Sequence, residues 1–489
     1  MTPNISLLEA SAFLDGRFSP AASGETFDSE NPANGTTFAA VAACGEEDVN
    51  RAVAAARHAF EAGHWSKAAP ATRKKVLLRL ADLIEQHSEE IAMLETLESG
   101  KPITDSRTVD IPDSIATLRW HAEAIDKYYD QISPAPHHVV SMLVREPMGV
   151  VAAVIPWNFP LFMAIWKLAP ALAGGNSVLL KPAEQTSFSL LRVAGLAAEA
   201  GLPDGVLNVL PGRGEVTGRA IGLHPDIDCV SFTGSGEVGR YFLSYSAQSN
   251  LKKIVLECGG KSPAIVMPDA PDLDHVTQEI ATGILFCQGE NCSAGSRLII
   301  HESLKDEVIA RLKPVFDTWT IGDPMNETTR IGALIERGHL DKVTGLIQRG
   351  VDEGAALVHG GHQVLQESGG YFVEPTIFDG VRNDMTIARE EIFGPVLSVI
   401  SFHDEAEAIA LANDTRYGLA SSLYTNDLNT AHRMAKAIKA GTVSVNCYSE
   451  GDLAVPFGGF KESGFGGRDK GFAAHDQYTE QKSIWIQLR

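Results

Sequence analysis

Helical spacing of apolar residues dominates the first 130 positions. It predicts helices over Glu46–Glu61, Ala71–Ser99 and, after Ile111 and Pro112, from about Asp113 to Tyr129. The stretch SPAPHHVVSMLVREPMG is turn-rich and then extended, and reads as a hairpin arm leaving one domain. From residue 150 the rhythm changes. Short apolar runs (VVAAVI, SVLLKP, VLNVLPG, CVSFTGS, KKIVLECGG) alternate with helical segments such as Ser187–Ala200, which implies βαβ units around a parallel sheet. A second alternation follows residue 260: SPAIVMP, SRLIIHE, a helix near Ser303–Trp319, YFVEPTIF, GPVLSVISF, SSLYTND and GTVSVN. The extended apolar run TEQKSIWIQL needs a strand to pair with. The pattern therefore predicts an α/β protein: two α/β domains, an extended arm and a terminal strand.

Composition narrows this picture. The 489 residues suggest roughly two or three domains at about 150 residues each. The 41 Lys and Arg against 62 Asp and Glu give a formal charge of -21. Such a surface repels phosphate backbones and anionic membranes, which excludes nucleic-acid binding as a main function. Pro147 to Trp166 is 20 residues without a charge, long enough to span a bilayer. It carries Pro147, Pro156, Pro160 and Asn158, however, and reads better as a buried strand, a PWNFP turn and a helix beginning near Phe162. The start has no basic residue ahead of an apolar run, as a secretory signal would. Six scattered cysteines without a CxxC pair predict neither a disulfide framework nor a zinc site, and point to a reducing, cytosolic compartment. The 15 histidines show no ligand-like pairing, so no metal is expected.

Four features could carry chemistry. Cys292, in FCQGENCSAGSR, has small or polar neighbours and is expected at a tight turn opening a helix, where amides would lower the thiol pKa and bind an oxyanion. A buried structural thiol is the alternative, and Cys287 is a weaker rival nucleophile. FTGSGEVG matches a GxGxxG fingerprint through Gly234, Gly236 and Gly239, with Glu257 about 20 residues on to hold a ribose. Alone that pattern is weak. GGKS at 259–262 fails as a P-loop, because the first glycine of that motif would fall on Val255. Lys181 in SVLLKPAE ends a buried strand with Glu184 three residues later, and is either functional or a solvated strand end.

Taken in order, PWNFP, LLKPAE, FTGSGEVG, LECGGKSP, QGENCSAGSR, EEIFGPV and VPFGGFKESG resemble the aldehyde dehydrogenase superfamily over nearly the whole chain. The resemblance implies that family's fold: two Rossmann-like doubly wound parallel-sheet domains plus a β-hairpin oligomerisation arm. It maps a NAD-binding domain to 1–126 and 148–258, a catalytic domain to 259–469, and the arm with its terminal strand to 127–147 and 470–489. It implies Cys292 as nucleophile, Asn158 with the Cys292 backbone N–H as oxyanion donors, and Glu257 as the base that hydrolyses a thioester to the free acid. This replaces the ribose role of Glu257. The cofactor would be held by Ile155, Trp157, Lys181, Glu184, Gly214, Phe232, Gly234, Ser235, Glu391 and Phe393, with Ser235 near the pyrophosphate, Lys181 and Glu184 at the adenosine ribose, and Glu391 at the nicotinamide ribose. A carboxylate at Glu184 favours NAD, with NADP as the alternative. A homodimer or homotetramer follows from the arm.

Within the superfamily the phrases VDIPDSIATLRWHAEAIDKYY, GDLAVPFGGFK and KSIWIQL resemble bacterial ω-aminoaldehyde dehydrogenases. The implied substrate is an ω-aminoaldehyde of polyamine breakdown, the alternative a medium-chain aliphatic or aromatic aldehyde. Asp110, Asp113, Glu450 and Asp452 are candidate carboxylates at a tunnel mouth, while Phe159, Trp166, Phe286, Asn291 and Ser293 are expected to line the tunnel. Two departures from the family bear on specificity. KESGFGGRD carries one residue more than the usual SGxGR, and Asn291 stands before the nucleophile where a small or apolar residue is common.

Overall fold

The computed structural model describes residues 9–489. Its first sheet has eight strands. In spatial order they are Arg17–Ser19, Ala12–Leu14, Leu207–Val209, Ser177–Lys181, Val150–Val154, Cys229–Gly234, Lys253–Cys258 and Gly464–Phe465. The five central strands run parallel and the edges antiparallel. Strand order reverses between Val150–Val154 and Cys229–Gly234, a switch point of the kind that opens a ligand crevice at the strands' carboxyl ends. Val150–Val154 and Ser177–Lys181 are buried along their whole length, as continuous apolar runs covered by helices on both faces should be.

The second sheet has seven strands: Ala356–His359, Thr376–Asp379, Val396–Phe402, Arg297–His301, Pro263–Val266, Ala420–Tyr424 and Thr442–Val445. All its pairings are parallel except that of Ala356–His359. Gln131–Ser133 and Val139–Pro147 form the expected hairpin, and Thr479–Gln487 pairs antiparallel along the second of these strands from Thr479↔Pro147 to Gln487↔Val139.

The helical pattern needs three amendments. The stretch 71–99 is two helices, Pro70–Gln86 and Ser88–Ser99, broken at His87, whose Nδ1 lies 3.1 Å from both a Glu90 carboxylate oxygen and Arg192. The helix expected from Asp113 to Tyr129 spans Ile111–Ala124; Tyr128 has left it to stack on Phe472 beneath the Arg145 guanidinium. The helix of the PWNFP segment begins at Pro160, two residues earlier than expected, because proline suits a first helical position. No described helix is long and apolar enough to cross a membrane.

Candidate active site

A cavity of about 550 Å³ opens where the carboxyl ends of the first sheet meet the segments that enter the second. Its wall brings together Trp157, Asn158, Phe159, Trp166, Gly234, Ser235, Glu257, Phe286, Asn291, Cys292, Glu391, Phe393 and Asp113. These residues are distant in sequence. The sheet order explains the convergence: Trp157 and Asn158 follow strand Val150–Val154, Ser235 follows Cys229–Gly234, and Glu257 closes the neighbouring strand.

Cys292 is half-buried, but its turn does not open a helix. It follows helix Leu273–Leu285 and feeds strand Arg297–His301. The thiol pKa is also not lowered. Burial, reinforced by the carboxylates of Glu450, Glu391 and Glu257, pushes it well above the ordinary thiol range. Cys287 is buried in the core with its Sγ 3.7 Å from the Asn158 carbonyl oxygen, and it does not reach the cavity.

Asn158 is 4% exposed, and its Nδ2 donates to the Glu290 carbonyl oxygen at 2.7 Å. An amide nitrogen carries two protons, so one N–H anchors the side chain and the other remains to donate. Both Glu257 oxygens are buried with no hydrogen-bond partner among the described residues. Burial and nearby Asp469 raise its pKa well above the carboxylate range, while Lys167 opposes them. Lys167 and Asp469 form a fully buried ion pair at 3.1 Å, and Gln477 Nε2 donates to the other Asp469 oxygen at 2.8 Å.

Of the residues assigned to a cofactor, Trp157, Gly234, Ser235, Glu391 and Phe393 line the cavity, whereas Lys181, Glu184 and Gly214 lie outside its lining. At one end Ser235 caps helix Gly236–Gln248, its Oγ accepting from the Val238 N–H at 3.2 Å, so the N-terminus points at the crevice. Lys181 is buried with its Nζ donating to the Pro182 carbonyl at 2.9 Å and 4.0 Å from Glu184, whose Oε1 accepts from the Gly214 N–H at 2.6 Å. Glu184 lines a neighbouring polar cavity of about 570 Å³. At the other end Glu391 Oε1 accepts from the Gly260 N–H at 2.9 Å, and a side chain at Gly259 would collide with this carboxylate. Phe393 adopts φ 61° and meets Trp157 edge-on at 5.4 Å. His339 holds this strained residue through its Nε2, 2.7 Å from the Phe393 carbonyl oxygen. Ile155 and Phe232 do not line the cavity: Ile155 is core, and the Phe232 ring packs beneath Gly234. A helix N-terminus and a glycine-cleared carboxylate flanking one crevice fit an elongated dinucleotide.

On the substrate side, Phe159 stacks on Phe286 at 6.0 Å, and Trp166 meets Phe162 and Phe457 edge-on. Asp113, Glu450 and Asp452 share this wall with Lys470, whose Nζ donates to the Glu450 and Gly451 carbonyls at 3.2 and 3.1 Å. Asp110 is not at the mouth. It is fully buried in a salt bridge with Lys101, at the end of the π-helical turn Ser106–Asp110 that runs into helix Ile111–Ala124. Ser293 is also behind the wall, with its Oγ tied to Tyr448 and Glu450. Sequence reasoning passed over Tyr448, Asp469, Lys470 and His339. Three of them lie near motifs already singled out, but none has a spacing that announces chemistry. One glycine of KESGFGGRD has a clear structural use. Gly466, at φ 80°, sits where a Cβ would lie 2.1 Å from the Ile254 carbonyl oxygen, which lets Gly464–Phe465 pair against Leu256 and Glu257.

A thiol, an amide donor and a buried carboxyl beside a doubly wound sheet's crevice define a covalent, nucleotide-linked chemistry. Residues 18–484 match the aldehyde dehydrogenase family, and the chain belongs to that family. It is 54% identical to the aminoacetaldehyde dehydrogenase of Pseudomonas aeruginosa, covering 97% of this chain and 95% of that protein. It is 48% identical to the NADP/NAD-dependent aldehyde dehydrogenase PuuC of Escherichia coli K12, covering 98% and 96%. Indole-3-acetaldehyde dehydrogenase, solved in complex with NAD+, superposes with a TM-score of 0.97 at 52% identity over 98% of this chain and 97% of that one.

Proposed function

We propose that this aldehyde dehydrogenase oxidises an ω-aminoaldehyde to the free carboxylic acid with NAD, and accepts NADP less well. Cys292 attacks the aldehyde carbon once its thiol is deprotonated. The Asn158 amide and the Cys292 backbone N–H receive the resulting oxyanion. NAD, when bound, supplies the hydride acceptor; Ser235 and the helix it caps would hold its pyrophosphate, Lys181 and Glu184 one ribose, and Glu391 the other. The collapse of the oxyanion, with the C–H bond breaking and its hydrogen leaving as hydride, leaves an acyl group on the Cys292 sulfur as a thioester. Glu257 takes a proton from the water that attacks this carbonyl, and the thiol departs with the carboxylic acid released. Glu184 supports NAD over NADP because a carboxylate accepts hydrogen bonds from ribose hydroxyls and repels a 2'-phosphate. In this reading residues 1–126, of which 1–8 lie outside the described residues, and 148–258 form the cofactor domain and 259–469 the catalytic domain.

The observation that carries the substrate class is the wall formed by Asp113, Glu450 and Asp452 around aromatic rings. Lys470 on this wall spends two donors on backbone carbonyls and lies 5.4 Å from the Trp166 ring centroid, and Lys342 also lines the cavity. A cationic tail would sit between those carboxylates and the ring faces. The name of the Pseudomonas aeruginosa relative supports this reading. An apolar aldehyde is the second reading, supported by the Phe159, Trp166 and Phe286 lining and by the indole-3-acetaldehyde relative. Steady-state turnover of 4-aminobutyraldehyde and 4-guanidinobutyraldehyde against hexanal, octanal and benzaldehyde, each with NAD and NADP, separates them. A preference of about tenfold for the cationic aldehydes, some 1.4 kcal/mol, supports the first reading, and a win for octanal or benzaldehyde the second. We further propose a cytoplasmic homodimer or homotetramer. Its contact would use the arm sheet, where Ile132 is 80% and Trp485 63% exposed.

A further inference from the structure

The two neighbours of Cys292 in sequence are tied to a single phenol. Asn291 Nδ2 donates to the Tyr448 hydroxyl at 2.8 Å, and Ser293 Oγ lies 2.7 Å from the same oxygen. Asn291 also reaches across the nucleophile, its Oδ1 accepting from the Ser293 N–H at 3.2 Å. Ser293 Oγ is in turn bonded to a Glu450 carboxylate oxygen. The donors at one end and the acceptor at the other fix the direction of this chain. An amide N–H can only donate and a carboxylate can only accept, so the protons run from Asn291 to Tyr448 to Ser293 to Glu450. Tyr448 itself is well anchored. Its backbone N–H donates to Glu279 at 2.6 Å, and its ring lies against Gly283, where an added Cβ would sit 3.1 Å from it. Glu279 and Gly283 belong to helix Leu273–Leu285, which delivers the nucleophile turn.

We propose that Tyr448 is a positioning residue of the reaction, fixing the Cys292 turn from both sides and joining it through Ser293 to Glu450 on the substrate wall. This rests on Cys292 being the nucleophile. The sulfur has one rotatable bond to its backbone, so its aim at the aldehyde carbon depends on how firmly that backbone is held. A turn held by hydrogen bonds on both flanks keeps the aim that a reactive approach requires. Burial and Glu450 raise the Tyr448 pKa well above the phenol range, so the hydroxyl keeps the proton it donates to Ser293. The chain also places the Glu450 charge beside the thiol, with Glu391 and Glu257 as its other anionic neighbours. Lys470 on that wall feels the charges of Glu450, Asp452 and Asp113.

The test compares Tyr448→Phe, which removes only the oxygen, with Tyr448→Ala, which removes the ring as well. Tyr448→Phe is expected to lower kcat about tenfold with KM for NAD close to wild type, and to lose less stability than Tyr448→Ala. Tyr448→Ala is expected to lower kcat at least as far and to lose stability too. Full kcat in Tyr448→Phe alongside loss in Tyr448→Ala overturns the proposal, because the ring would then matter only as packing. A parallel rise in KM for NAD overturns it as well. In the same series Glu450→Gln is expected to shift the pH profile of Cys292 alkylation by iodoacetamide to lower pH, and an unmoved profile overturns the coupling. Cys292→Ala runs beside these as the control for the parent reading. Turnover retained there removes the nucleophile itself, whereas an inert Cys292→Ala with a fully active Tyr448→Phe removes only the role of the phenol.

Discussion

Asn158→Ala separates the oxyanion role from a packing role. The Asn158 amide is buried, and its one visible bond, 2.7 Å to the Glu290 carbonyl, leaves a second N–H with no partner among the described residues. Removing a preorganised oxyanion donor costs about 2.7–4 kcal/mol of transition-state stabilisation, or roughly 10²–10³ in rate. Leaving the Glu290 carbonyl unpaired adds a stability loss of about 1–3 kcal/mol, which a thermal melt reads separately. The assay is the pre-steady-state burst of reduced cofactor on mixing enzyme, NAD and aldehyde. The burst should slow by at least about a hundredfold. Alkylation of Cys292 by iodoacetamide passes through no oxyanion and should keep its wild-type rate. Two results refute the reasoning: a burst slowed less than about tenfold, or alkylation slowed in step with the burst.

The remaining predictions concern the residues around that donor. Cys292→Ala should abolish aldehyde oxidation in a steady-state assay while leaving NAD binding, read by fluorescence quenching, intact. Glu257→Gln should give one burst of NADH and then stall with an acyl group on Cys292, detectable by intact-mass spectrometry; simple loss of NAD affinity would return Glu257 to a ribose role. The working forms of Cys292 and Glu257 are the deprotonated ones, and burial raises both pKa values, so kcat/KM should still climb with pH above neutrality; a profile that levels off in the acid range would contradict this. Gly466→Ala should cost about 1–2 kcal/mol for its left-handed conformation plus the clash with the Ile254 carbonyl. It should therefore lower the melting temperature and slow thioester hydrolysis, because it displaces the strand paired with Glu257.

Both sheets were legible in the chain because buried parallel strands leave unbroken apolar runs, and VVAAVI, SVLLKP and CVSFTGS each became a strand at its expected place. The hairpin and terminal strand were legible from their extended pattern in the same way. What stayed hidden depends on direction. Asp110 reads like its neighbour Asp113, yet one turn of chain sends it into the core toward Lys101 and leaves Asp113 on the cavity wall. Neighbours of the Cys292 thiol mattered in the same way. Small residues suggested amides lowering its pKa, but carboxylates arriving from residues 257, 391 and 450 raise it, and their approach is set by the packing of two sheets. Tyr448 and His339 carry no motif because they act on backbone and turn geometry that exists only after folding.

The closing pairings of the fold also bear on its biosynthesis. Gly464–Phe465 completes the edge beside Glu257, and Thr479–Gln487 completes the sheet begun by Val139–Pro147, with Val139 opposite Gln487, 348 positions away. A ribosome therefore exposes the edge of the first sheet, and one strand of the arm, long before their partners are translated. Asp469 and Lys470 reach the cavity in the same late segment. Until that segment is made, a nascent chain lacks Asp469 and Lys470 on the cavity wall and presents unpaired strand edges of the kind that associate edge to edge.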